Sequence, residues 1–152
     1  RLDGGTLSNR PTTDTDFSAS ALRAACESFE GWTDERGFPC LLKPKYVIVD
    51  PSFKWAAREV LNSADRPYTS DNEVNALKDE DLGYFVSHYL TDTDSWFLVA
   101  AKGDHDMQMF DRQKPMFEDT DDFDTGDAKF KVTCRESVGF GDWRGVYGSE
   151  GA

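Results

Sequence analysis

The sequence lacks a disulfide framework, a long apolar run and a signal peptide. Its three cysteines, Cys26, Cys40 and Cys134, are an odd number at wide, irregular spacing, which is unlike a secreted disulfide scaffold or a zinc motif. We therefore expect three unpaired thiols in a protein that folds in a reducing cytosol. No stretch of about 18 apolar residues occurs, and residues 1–10 lack the apolar segment of a signal peptide. The sequence predicts no membrane partner.

Positive charge is also scarce. The 152 residues contain 17 Lys and Arg against 29 Asp and Glu, a formal net charge of -12, and the longest basic stretch is Lys43-Pro44-Lys45. A phosphate backbone is repelled by such a field unless a local basic patch opposes it. The sequence thus predicts no specific nucleic-acid binding.

Apolar residues are sufficient for a packed core, at 38% of the chain with 13% aromatic, and the length suits one domain or two small lobes. Apolar positions recur at three- and four-residue spacing from Leu22 to Phe29, with Ser18 as N-cap and Gly31 as the end, which predicts a helix. A second helix is predicted after Asp50, extending to Leu61.

Several strands are predicted from short apolar runs and from alternation. Residues 46–49 read as a buried strand, and residues 84–90 and 95–100 as a hairpin around a Thr-Asp-Thr-Asp turn. Met107 to Asp111 is interpreted as an extension of that sheet, and Ala128 to Phe140 gives the clearest alternation. Two helices with mostly antiparallel strands indicate an α+β architecture.

Two polar segments are interpreted as surface loops. Residues 63–82 include Pro67 and Asp71-Asn72, and residues 118–127 carry six carboxylates and no base. An EF-hand register that places Gly126 at its sixth position puts Phe123 and Val132 where oxygen ligands are needed. A solvated acidic loop is favoured, and an irregular divalent-cation site stays open.

Candidate chemistry is sparse. The two histidines, His88 and His105, and the acidic loop support one alternative, a small cytosolic metal-dependent enzyme or ligand-binding domain. No catalytic, cofactor-binding or metal residue is predicted. Near the C-terminus, Trp143, Arg144 and Tyr147 are either a subunit interface or a cap over the chain's own core.

Four segments, in their order and spacing, resemble one family. They are similar to the C-terminal half of Mu-like major head proteins of tailed bacteriophages, and they cover nearly the whole chain: LSNRPTTDTDFS, KPKYVIVDPSFKWAAREVLNS, SHYLTDTDSWFLVA and DDFDTGDAKFKVTCRESVGFGDWRGVYGS. The resemblance implies the Hong Kong 97-type (HK97-like) capsid fold, with an axial and a peripheral domain.

The resemblance also implies a division of the chain. Residues 1–17 would be an extended arm or peripheral-domain segment, residues 18–112 the axial domain, residues 113–140 peripheral-domain strands, and residues 141–152 a segment that returns to the axial domain. Family members carry an N-terminal arm, an extended loop and a spine helix before the position that matches Leu7. Because these lie outside this sequence, we expect the chain alone to assemble weakly.

The function that the resemblance implies is structural and not enzymatic. The chain would be a major capsid protein that self-associates into pentamers and hexamers of an icosahedral shell around double-stranded DNA, in contact with other copies of itself. It would need no cofactor, would assemble in the bacterial host cytoplasm and would reside in the virion.

Overall fold

The computed structural model describes residues 8–65 and 73–151, and the chain packs as two units. Unit 1 comprises Arg1–His105 and Trp143–Ala152, and unit 2 comprises Asp106–Asp142. The described residues form two α-helices and six strands, which confirms the α+β class.

The first helix, α1, spans Ala19–Glu30 as its apolar spacing predicts. The hydroxyl of Ser18 accepts a hydrogen bond from the Ala21 amide at 3.2 Å, which satisfies one of the free donors at a helix N-terminus. Its buried stripe consists of Leu22, Ala25 and Phe29, so this face packs on the core.

The second helical segment begins with a 3-10 turn. Strand β1, Pro44–Val49, leads into this turn at Pro51–Phe53 and then into α2, Lys54–Asn62. The Asp50 carboxylate accepts the Ser52 amide at 2.9 Å and Pro51 suits the first turn, so the predicted start is confirmed.

Unit 1 contains a four-stranded sheet in the order β2-β1-β3-β6. Strands β2, β3 and β6 span Gly83–Val86, Trp96–Ala100 and Val146–Ser149. Strand β1 pairs in parallel with β2 and antiparallel with β3. The predicted hairpin of residues 84–90 and 95–100 is therefore wrong, because β1 lies between its two strands. The two inner strands, β1 and β3, are hydrogen-bonded along both edges, and β3 is apolar at every position.

Aromatic packing fastens the N-terminal segment to this sheet. Trp96 is 1% exposed and meets Phe17 edge to face, with ring centroids 5.7 Å apart. Its indole Nε1 donates to the Thr15 carbonyl at 2.9 Å. The amide of Gly148 in β6 donates to the Asn9 carbonyl at 3.0 Å, so the N-terminal segment reaches this edge strand.

The predicted loop over residues 63–82 is only partly correct. Residues 66–72, with Pro67 and Asp71-Asn72, lie outside the described residues. The rest contains a 3-10 helix at Ala76–Lys78, and Asn75 and Leu77 are 2% and 3% exposed. The burial of Asn75 and Leu77 could not be predicted from the sequence, because two isolated positions form no periodic pattern.

Unit 2 is a long two-stranded hairpin. Strand β4 spans Met107–Asp121 and β5 spans Ala128–Phe140, so the prediction for 128–140 is confirmed. The expectation that Met107 to Asp111 extends the sheet of unit 1 is wrong, because β4 pairs with β5. The acidic tract is also not one loop, since its first four residues belong to β4 and a turn over residues 122–127 follows.

Candidate interaction surfaces

The C-terminal residues Trp143 and Tyr147 pack in or against the core of unit 1, and Arg144 contacts Trp143 and Thr33. The Trp143 ring meets Trp32 edge to face at a centroid distance of 5.3 Å, and Tyr147 is 6% exposed. The Arg144 guanidinium lies 4.8 Å from the centroid of the Trp143 ring, and its Nε donates to the Thr33 carbonyl at 3.0 Å. These contacts support the core-capping interpretation, while the subunit-interface role stays a prediction.

The hairpin of unit 2 has one apolar face, which we call the ribbon face. Direct cross-strand partners share a face of a sheet, and so do alternate residues along a strand. The register pairs Met107 with Phe140, Met109 with Val138 and Phe117 with Val132. The apolar side chains of this face are exposed at 45% to 77%: Met107, Met109, Phe117, Phe130, Val132, Val138 and Phe140.

Acidic residues interrupt the ribbon face at its middle and near its turn, where Asp119 and Asp121 are the cross-strand partners of Phe130 and Ala128. Asp111 and Glu136 are direct cross-strand partners, and the alternation that places Met109 and Val138 on this face places them there too. Like charges directly opposite each other destabilise a strand pair. Within the described part of the chain, neither carboxylate forms a salt bridge.

The opposite face of the hairpin is largely polar. Lys131 forms an ion pair with Glu118 at 3.2 Å, and Lys129 pairs with Asp122 in the turn. The hydrogen bond from Lys129 holds the pKa of the Asp122 carboxyl below its usual range. Phe110 and Met116 are the exposed apolar exceptions on this face, so the hairpin is amphipathic across its two faces.

The four-stranded sheet of unit 1 is apolar on both faces. Val47 and Val49 are fully buried on the helix side, whereas Tyr46 and Ile48 alternate to the other side. There Tyr46 lies over Gly83, since a Cβ at position 83 would come within 3.1 Å of its ring. Tyr46 remains 47% exposed, so this second face is a smaller apolar surface.

In the described part of the chain, the candidate cysteines and histidines do not lie together in a reactive site. Cys26, Cys40 and Cys134 are free thiols, and burial, followed by nearby Glu80, raises the pKa of Cys26 to about 11. His88 lies exposed in the turn after β2. In residues 8–65 and 73–151, we find no cluster of three or more His, Cys, Asp or Glu able to bind a metal ion.

The same described ranges contain no helix that is long and apolar enough to span a membrane. Sequence reasoning identified the apolar alternation of β5, but it missed the β4 half of the ribbon face. Two sequence features could have indicated this half: the alternation of Met107 and Met109, and the position of Phe117 beside the acidic tract. Two register shifts between Asp111 and Met116 break the period that would have connected them.

A family model described as "Phage capsid protein" matches residues 1–149 of the chain. A search of curated proteins finds no match.

Proposed function

Because the chain belongs to the phage capsid protein family, whose model covers residues 1–149, we propose that it is a major capsid subunit of the Hong Kong 97-type fold. Membership of this family establishes the general role: the protein is a structural component of a bacteriophage capsid and part of the virion. The family match along almost the whole chain is the observation that carries this conclusion.

The proposal assigns the two packing units to the two domains of that fold. Within unit 1, the four-stranded sheet and both helices correspond to the axial domain, and the hairpin of unit 2 corresponds to peripheral-domain strands. Residues 1–17 remain proposed as an extended arm or peripheral segment, and residues 141–152 as the return to the axial domain. The exposed ribbon face supports a role for the hairpin in contacts beyond its own unit.

Capsid proteins assemble into shells, and the proposed organisation is a set of pentamers and hexamers formed in the host cytoplasm. Rings of identical subunits use two different, complementary patches on each copy. The C-terminal residues Trp143, Arg144 and Tyr147 are proposed to lie near such a contact. Trp143 and Arg144 are only half-buried by the chain itself, which leaves surface for a neighbour.

Negative-stain microscopy of the protein over rising concentration tests the shell proposal. We expect rings or closed shells at high protein concentration, because a persistent contact between copies needs about 1,000 Å² of well-fitted surface. A protein that stays monomeric under all assembly conditions would contradict the proposed function.

The chain is further proposed not to bind DNA specifically. Its net charge of -12 opposes phosphate approach, and two lysines of the hairpin are neutralised by Glu118 and Asp122. Fluorescence anisotropy with a labelled duplex should show no binding at physiological salt. Micromolar binding with a steep salt dependence would instead reveal an effective basic face.

A further inference from the structure

Residues 9–15, which we call the strap, cover the outer edge of β6. The Gly148 amide donates to the Asn9 carbonyl at 3.0 Å, so it points away from β3. Successive amides of a strand point to opposite sides, and those of Tyr147 and Ser149 therefore face β3, with which β6 pairs. An uncovered strand edge is a template for pairing with another strand. The strap lies where such a strand would pair.

The C-terminal end of the strap is fixed at Thr15. The buried Ser149 hydroxyl accepts the Thr15 amide at 3.1 Å and donates to the Thr15 carbonyl at 3.0 Å. The same carbonyl accepts the indole N–H of Trp96 at 2.9 Å. Two residues further on, Phe17 is buried in the core. Any movement of the strap therefore begins on the N-terminal side of Thr15.

Three charged residues, which we call the clasp, hold the strap to the end of β6. The Arg10 Nη2 donates to the Asp14 carboxylate at 2.6 Å and to the Glu150 carboxylate at 2.8 Å. The Asp14 carboxylate also accepts the Glu150 amide at 3.2 Å. The hydrogen bond from Arg10 holds the pKa of Asp14 below its usual range. The clasp thus joins the strap to the residue that directly follows β6.

Polar contacts rather than apolar burial hold the strap in place. Its side chains are polar except that of Pro11. A cavity of about 250 Å³ lies beside it, with Asn9 and Arg10 in one wall and the apolar Phe97 and Val146 in the other. The Arg10 side chain is 49% exposed, so the clasp is open to water and salt. Segments with few buried apolar contacts open at low cost in free energy, and salt screens exposed ion pairs.

We propose that the strap is a conformational device that covers and uncovers the outer edge of β6, and that the clasp makes its opening sensitive to ionic strength. In the closed state the Gly148 amide is bound to Asn9. In the open state the strap detaches as far as Thr15, and the outer amide of β6 and the apolar wall of the cavity become accessible. These contacts all lie within one copy of the chain, so the device is independent of the proposed shell role.

Hydrogen exchange at single amides, followed by NMR on dilute protein, tests the strap. The Gly148 amide reports opening of the outer edge, and those of Tyr147 and Ser149 report the pairing with β3. Asp14→Asn should speed exchange at Gly148 by up to about fivefold, because exposed ion pairs have modest strength, and leave the other two rates unchanged. Glu35→Gln removes the same charge at an exposed position in the turn after α1 and should change none of the three.

Arg10→Gln is a second variant that opens the clasp. The double variant with Asp14→Asn should exchange no faster at Gly148 than Arg10→Gln alone, because both residues act through one ion pair. Rising salt should speed exchange at Gly148, relative to Tyr147, in the unchanged protein but not in the double variant.

Three outcomes contradict the proposal. Unchanged exchange at Gly148 in both single variants would show that the clasp does not hold the strap. Effects of the two substitutions that simply add would show that Arg10 and Asp14 act separately. Equal acceleration at Tyr147 and Ser149 would show that the whole sheet opens instead of the strap alone.

Discussion

At the scale of single residues, Trp143 could serve either a subunit interface or the core of its own chain, and the two roles can be distinguished. Its ring contacts Trp32 and carries the Arg144 guanidinium on one face. Aromatic residues with an arginine are enriched at interfaces, but the same residue types stabilise a fold when they pack internally. Measurement of the stability of the monomer distinguishes the two roles.

Trp143→Ala should lower the free energy of unfolding of unit 1 by about 2 kcal/mol. The estimate is below the usual cost of about 3–5 kcal/mol for a fully buried tryptophan, because Trp143 is only partly buried. Urea denaturation under dilute conditions measures the change. The matched control is Trp55→Ala, where a ring that is 62% exposed should cost less than about 0.5 kcal/mol. Equal effects would assign Trp143 to an interface alone.

The three thiols should differ in reactivity. Burial raises the pKa of Cys26 from 9.0 to about 11, so its thiolate fraction at pH 8 falls about a hundredfold, because each pKa unit is a factor of ten. Alkylation of Cys26 in the dilute folded protein should therefore be about a hundredfold slower than that of exposed Cys134. In denaturant the rates should converge. A Cys26 that reacts as fast as Cys134 in the folded protein would show that its environment is open.

The same group gives a pH dependence of stability. A thiol whose pKa is raised by folding favours the native state fully below pH 9, and this contribution is lost as pH rises from about 9 to about 11. Cys26→Ser should therefore reduce the loss of stability across that pH range.

At the scale of elements, the segment after α2 depends on one buried amide. The Asn75 side-chain nitrogen donates to the carbonyl oxygens of Val60 at 2.6 Å and Ser63 at 3.1 Å. Its side-chain oxygen accepts the Leu77 amide at 3.3 Å. One residue thus caps the end of α2 and the start of the next 3-10 helix.

Asn75→Ala should destabilise unit 1 by about 2–3 kcal/mol, because it leaves buried backbone groups without partners. Thermal unfolding monitored by circular dichroism should show the loss. Asn62→Ala is the control, since Asn62 is exposed at the end of α2 and should change stability little. A cost at position 62 that matches the cost at position 75 would rule out the capping role.

The elements that could be predicted from sequence are those with local signals. The N-cap at Ser18, the Asp50-Pro51 start and the alternation of β5 all depend on neighbouring residues. The order of the sheet depends on pairing between distant segments, so residues 84–90 and 95–100 were assigned to each other when both pair with β1. The β4 half of the ribbon face was not predicted for a different reason: the register shifts in β4 disrupt the alternation of its apolar residues.

At the scale of the whole molecule, burial is divided unequally between the two units. Every residue of the described core, from Phe17 to Tyr147, belongs to unit 1, while unit 2 consists of two exposed strands. Composition predicted enough apolar material for a core but not that much of it would lie on an exposed hairpin. A phage capsid protein could be inferred because the ordered set of segments extends along nearly the full chain, as the family match does.

This division predicts that the hairpin can be removed without unfolding the rest. Replacing residues 106–142 with a short Gly-Ser link joins His105 to Trp143, and these chain ends are close, since a Cβ on Gly145 would lie 2.9 Å from the His105 Cα. Unit 1 keeps its sheet, both helices and its buried residues, so its thermal midpoint should change by only a few degrees, about 1 kcal/mol or less. The deletion variant should nevertheless associate less strongly in sedimentation velocity, because the exposed apolar side chains of the hairpin are removed. An unfolded deletion variant would mean that unit 1 needs the hairpin for stability, whereas a folded variant that assembles normally would show that the contacts between copies lie in unit 1 instead.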